Sequence, residues 1–99
     1  ADGGLFVTAQ RHADGATEAA LAEVEAWYRE VHIPDLLAVH GVTGCRWYET
    51  EDGRDVRLYG LDVDPHGFHE DLAARTPSMS MIDLRPAYRS LLVSSYRPR

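Results

Sequence analysis

The sequence predicts an α+β fold: a four-stranded antiparallel sheet with helices on one face, its elements running βαββαβ. Three features predict it. Residues 18–33 carry the apolar spacing of a helix, Asp52-Gly53 separates two strand-like runs as a hairpin turn, and the second of those runs is not simply polar on either face. At 99 residues the chain makes one domain, residues 1–99.

Taken in order, Gly3-Gly4 leads into a β-rich run over residues 5–10, LFVTAQ, the first strand. Asp14-Gly15 marks a turn, Thr17 is placed to cap the helix that follows, and Glu18 suits its positive end. Leu21, Val24, Trp27 or Tyr28, and Val31 then recur at steps of three and four, with Glu23, Ala26 and Glu30 opposite. His32 follows Tyr28 by four residues, which puts the two on one face at the rim of the apolar stripe. Pro34 lacks the helical N–H and disfavours helix at Ile33, so the helix is expected to kink or stop there. A short second piece, residues 35–39, then ends at Gly41.

Residues 42–51 and 54–63 read as the hairpin. On the second of these strands Val56, Leu58 and Gly60 point one way, and Arg57, Tyr59, Leu61 and Val63 the other. Both faces are therefore expected to be covered, one by the helices and one by a second subunit. Residues 64–67 read as a turn and 68–75 as a helix with Phe68, Leu72 and Ala73 inward. Residues 78–88 read as a further helical piece interrupted by Pro86, and 90–96 as the closing strand. This is the split-βαβ, ferredoxin-like order.

Composition excludes several classes. A net charge of -6 argues against nucleic acid and anionic membranes, since phosphate binding needs clustered positive charge. No apolar run approaches the roughly 20 residues that span a bilayer. All ten basic residues are Arg, and without Lys no side-chain Schiff base is possible. The single Cys45 forms no internal disulfide, which fits a cytoplasmic location. No Gly-rich phosphate-binding pattern is present, so no nucleotide cofactor is expected. His66 and His69, beside Glu70 and Asp71, have metal-like spacing, but their turn setting reads as a solvated pair. The expectation is therefore no metal and no cofactor.

The run Trp27-Tyr28-Arg29-Glu30-Val31-His32-Ile33-Pro34, followed by His40-Gly41-Val42-Thr43-Gly44-Cys45-Arg46-Trp47-Tyr48, resembles the signature of EthD-like proteins in the dimeric α+β barrel superfamily. There W-Y-x-x-V-H-x-P precedes P-G-V/F-x-x-x-R-x-Y, and here His40 stands where the family has proline. The resemblance implies a homodimer with a ligand pocket in each subunit between sheet and helices. Relatives include polyketide cyclases, cofactor-free monooxygenases, haem-degrading enzymes, muconolactone isomerases and stress proteins. The haem-degrading arrangement depends on Asn, which this chain lacks.

His32 is the leading acid/base candidate, because an imidazole titrates near neutral pH. Its plainer role is to hold a carbonyl freed by Pro34. Tyr28 and Tyr48 can hold an enolate through their hydroxyls, and Trp27 and Tyr59 can wall a substrate; the plainer role of all four is core packing. Arg46 and Arg57 can hold a carboxylate or phenolate, or bridge a dimer interface to Asp62 or Glu49. His40 adds a titratable group beside the second strand. The residues thus point to a cofactor-free enzyme performing acid/base cyclisation, dehydration or isomerisation of an aromatic or polyketide-like carbonyl compound. Catalysis is assigned to His32, Tyr28 and Tyr48, and substrate contact to Trp27, Tyr59, Arg46 and His40. A cofactor-independent monooxygenase acting on a phenol or anthrone, and a non-catalytic binding or stress-type dimer, are the alternatives.

Overall fold

The computed structural model describes residues 3–99. Four strands, β1 (Gly4–His12), β2 (Val42–Glu49), β3 (Arg54–Leu61) and β4 (Tyr88–Tyr96), form one antiparallel sheet in the order β2-β3-β1-β4. Helices α1 (Glu18–Trp27), α2 (Ile33–Leu37) and α3 (Pro65–Arg75) join them, and the helical layer lies on one face, consistent with a ferredoxin-like fold. No helix among the described residues is long and apolar enough to cross a membrane.

Local chemistry sets most boundaries as expected. Thr17 Oγ1 accepts from Ala20 N at 3.0 Å and caps α1. Gly41 has φ +90°, and a side chain there would run into Val63, so only glycine closes this turn. Asp64 Oδ1 accepts from His66 N at 2.8 Å, with Pro65 in the first helical turn. That cap starts α3 three residues earlier than the turn expected over residues 64–67.

Two expectations are corrected. The first helix does not stop at Pro34. It widens into a π-helical segment, Tyr28–His32, and runs on into α2. The Ile33 amide bonds back five residues to the Tyr28 carbonyl. The wider turn lets the rod continue past a residue that has no N–H and whose ring crowds the preceding turn. Residues 79–84 form no helix. A single 3-10 turn, Thr76–Ser78, gives way to an irregular strap, held between Pro77 and a turn in which Asp83 Oδ1 accepts from Arg85 N at 3.0 Å. Its apolar residues split between two cores instead of forming a helical stripe. Ala73, expected inward, is exposed.

The core is two clusters under the helices. One gathers Phe6, Leu36, Val39, Tyr59, Leu61 and Phe68, with Met79 packed against it. The other gathers Val24, Trp27, Tyr28, Ala87 and Tyr88, with Ile82 and Leu84 against it. The strap therefore pins both clusters, and the site lies at their seam.

Candidate functional site

Strand alternation sends Phe6, Thr8 and Gln10 of β1 toward the helices, level with Tyr59, Arg57 and Asp55 of β3. A β-bulge between β1 and β4 falls at Ala9/Gln10, a device that re-aims side chains at the rims of sites. Above this strip lie Tyr28 and His32 of the π-helical segment and Leu36 of α2. Between them is a cavity of about 240 Å³. Its walls are mainly apolar, from Phe6, Leu36, Leu72, Met79, Met81 and Leu92, with Thr8, Gln10, Tyr28 and His32 as a polar group on the floor and roof and Thr76 and Ser90 exposed at the rim. Of its apolar lining residues, Val93 (65%) on edge strand β4 and Met81 (54%) on the strap are the most exposed and mark the mouth.

The polar group is built from both layers. Gln10 Nε2 donates to the Tyr28 hydroxyl at 2.7 Å, with Gln10 only 8% exposed. The Arg57 guanidinium, 1% exposed, lies 3.8 Å from the Tyr28 ring centroid, a desolvated cation–π contact. Arg57 is neutralised by Asp55 two residues earlier on its own strand, and the Trp47 indole N–H donates to the same carboxylate. Burial lifts the Tyr28 pKa above the ordinary phenol value, and the Arg57 charge pulls it part of the way back. The phenol is therefore a protonated donor whose oxygen already accepts from Gln10.

His32 stacks flat on Trp27, with ring centroids 4.5 Å apart and planes at 16°, and meets Tyr28 edge-on at 5.6 Å. Trp27 is tied in turn to the strap, its indole N–H donating to the Ser80 carbonyl at 2.9 Å. Burial lowers the His32 pKa below the usual imidazole value and the Arg57 charge lowers it further, while Asp35 opposes both. The imidazole is thus neutral, with one nitrogen free to accept a proton.

Four buried side-chain polar atoms among the described residues have no hydrogen-bond partner in the protein: Thr8 Oγ1, Gln10 Oε1, His32 Nδ1 and Tyr59 Oη. The Tyr59 hydroxyl lies in the core beside the weakly bonding Cys45 thiol, and burial pushes its pKa up. The other three belong to residues that wall the one cavity. Native proteins leave few such atoms unpaired, and each costs about 1–3 kcal/mol.

The structure brings His32 and Tyr28 together at this cavity and backs them with Trp27. It separates them from the other candidates. Tyr48 pairs with Val56 and Arg46 with Leu58 on the outer face of the sheet, where both are exposed, so neither reaches His32 within this chain. Tyr59 is in the core and does not line the cavity. His40 is exposed in the turn before β2. Arg57, read as a partner for Asp62 or Glu49, pairs instead with Asp55 beneath the helices. His66 pairs with Glu70 at 2.9 Å and His69 Nε2 meets Ser95 Oγ at 2.9 Å. No group of three or more His, Cys, Asp or Glu among the described residues is arranged to hold a metal ion.

Sequence reading missed Thr8 and Gln10. The available signal was polarity at alternate positions on the helix-facing side of a central strand, Phe6-x-Thr8-x-Gln10. No protein-family model matches the chain, and no curated protein or solved structure matches it either. The functional reading rests on the site itself.

Proposed function

We propose that this chain is a small cofactor-free acid/base enzyme acting on an aromatic or polyketide-like carbonyl compound, by cyclisation, dehydration or isomerisation. The observation that carries the reading is the convergence of Thr8, Gln10, Tyr28 and His32 on one largely apolar cavity. Apolar walls take a ring system, and a few placed polar groups fix its orientation. A cavity of about 240 Å³ suits one or two fused rings.

In this reading neutral His32 removes a proton from carbon next to the substrate carbonyl. The oxygen that gains negative charge is held by the Tyr28 hydroxyl, itself supported by Gln10 and by the Arg57 charge beneath its ring. Returning the proton to another carbon gives isomerisation, and returning it to a leaving hydroxyl gives dehydration. The motif over Trp27–Pro34 supports an EthD-like relationship. The apolar outer sheet face, with Leu5, Tyr48 and Tyr96 exposed, supports a homodimer. The free Cys45 suits a reducing cytoplasm.

The test is a thermal-shift panel of aromatic ketones and phenols followed by turnover assays, with oxygen uptake recorded alongside. A ligand that binds the folded state raises the melting temperature by mass action. The expected result is stabilisation by aromatic carbonyl compounds and turnover without oxygen consumption. Oxygen consumption coupled to turnover replaces this reading with the monooxygenase one, and no shift across the panel replaces it with a non-catalytic dimer.

A further inference from the structure

One end of the sheet carries a second cleft. His12 ends β1, Glu49 ends β2, Asp55 lies at the start of β3 and Tyr88 opens β4, so every strand brings a side chain there. Leu21, Glu25 and Arg29, at steps of four along the helical rod, face them. With Trp47 these residues enclose a cavity of about 360 Å³. None of them lines the carbonyl cavity, so the cleft stands apart from the proposed active site.

Its charges do not balance internally. Glu49 lies directly across from Asp55, a like-charge pair that is unfavourable by itself. Asp55 is paired with Arg57 and Glu25 with Arg29, whereas Glu49 has no cation partner among the described residues. Tyr88 supplies a separate observation. Its side chain is only 7% exposed, yet its hydroxyl makes no hydrogen bond among the described residues. Unlike the four sealed atoms elsewhere, that hydroxyl opens to the cleft. Burial first, and then the Asp55 charge, push its pKa up to about 12, so it is a protonated phenol under negative potential whose oxygen can accept.

The walls also suit a positive ligand. The Arg29 guanidinium already lies 5.9 Å from the Trp47 ring centroid, so this aromatic face takes a cation. The Arg29–Glu25 pair is exposed on both sides and weak enough to part for a ligand. No group of three or more His, Cys, Asp or Glu among the described residues is arranged to hold a metal ion, so the cation that fits is organic.

We infer that this cleft binds a small aryl-alkyl ammonium ion, whose charged end donates to the Glu49 carboxylate and the Tyr88 hydroxyl while its ring lies against Trp47 and Leu21. A carboxylate ligand of the same shape meets Glu49 and Asp55 as like charges. The site is independent of whatever reaction His32 performs.

The experiment titrates 2-phenylethylamine, 2-phenylethanol and 3-phenylpropionate into the protein at low salt and about pH 7.5, where the amine is charged. Binding is read by NMR from the Trp47 indole N–H and the Tyr88 ring protons. The expected result is saturable shifts with the amine, which binds at least about tenfold more tightly than the alcohol or the acid. Glu49→Gln weakens the amine by about tenfold and Tyr88→Phe by about threefold or more, while Glu23→Gln, an exposed carboxylate outside the cleft, changes it by less than about twofold. Absence of saturable shifts with the amine up to about 10 mM overturns the site. Binding of the acid as tight as that of the amine overturns the cation preference and makes Arg29 the recognising charge. Equal losses in Glu49→Gln and Glu23→Gln show only attraction to a net acidic surface and overturn it as well. Amine binding unchanged in both Glu49→Gln and Tyr88→Phe overturns the assignment to those residues. The wild-type comparison of the three ligands stands whether or not a variant folds.

Discussion

Trp27 and His32 stack flat at 4.5 Å although they are five residues apart. In a regular α-helix that separation turns two side chains about 140° away from each other. The π-helical turn over Tyr28–His32 reduces the mismatch, and it ends two residues before Pro34. The proline thus acts at a distance of two residues: it favours the wider turn, and the wider turn aims the imidazole at the cavity.

Replacing Pro34 with Ala restores an N–H to the helix and removes the ring that crowds the turn before it. The expected outcome is a helix that relaxes toward α geometry, with a melting temperature unchanged or raised. His32 swings off Trp27, visible as changed indole fluorescence and lost ring-current shifts on the imidazole protons. Turnover falls by at least about tenfold, as expected when a catalytic group is misplaced by an ångström or so. A variant that keeps both the stack and full activity would show that Pro34 is not what holds this geometry.

The buried Arg57–Asp55 pair gives an asymmetric mutational signature. Changing Asp55 to Ala leaves an unpaired guanidinium under the helices and is expected to cost about 3–5 kcal/mol, read by urea denaturation. Changing both residues, Asp55 to Leu and Arg57 to Met, removes the orphan charge and recovers most of that loss. The double variant nonetheless loses activity, because Tyr28 no longer has a cation beneath its ring. Equal destabilisation by the single and double variants would contradict the assignment.

The sign of the His32 shift sets the pH behaviour. Burial and then Arg57 hold its folded pKa below the usual value near 6.5. An imidazole titration followed by NMR should therefore give a midpoint below 6.5, and the acid limb of kcat/KM should fall at that same pH. Stability follows by linkage. As pH drops from about 6.5 toward the folded pKa, the unfolded chain gains a proton that the folded chain refuses, so stability declines across that window. His32→Gln removes this component of the decline. A midpoint above 6.5 contradicts the buried, Arg57-facing placement.

Much of the fold was legible in the sequence, and the reasons are local. Thr17, Gly41 and the Asp52-Gly53 turn each impose a backbone conformation by themselves, and alternation on β3 separated Arg57, Tyr59 and Leu61 from Val56 and Leu58 correctly. The strap over residues 79–84 was not legible, because Met79, Ile82 and Leu84 have helix-like spacing yet are shared between two cores. The π-helical turn that carries the helix past Pro34 was not legible, because proline signals an interruption and spacing alone does not show that the turn before it widens. Within the site, His32 beside Tyr28 follows from helical spacing alone. Gln10 and Thr8 do not, since their importance lies in strand pairing with β3 and β4 and in hydrogen bonds left unmade. Tyr48 was drawn toward the site by its motif position, whereas the pleat of β2 sends it to the outer face.

If His32 serves as a base at a cavity that holds a cyclic ketone, the protein should catalyse proton exchange on such a ketone. Incubating 2-tetralone with the protein in deuterium oxide, and following loss of its α-proton signals by NMR, reads proton abstraction without knowledge of the natural substrate. Exchange is expected well above the buffer rate, falling by about 100-fold or more in His32→Gln while the melting temperature stays nearly unchanged. Exchange at equal rates in the wild type and His32→Gln, with both folded, would contradict it.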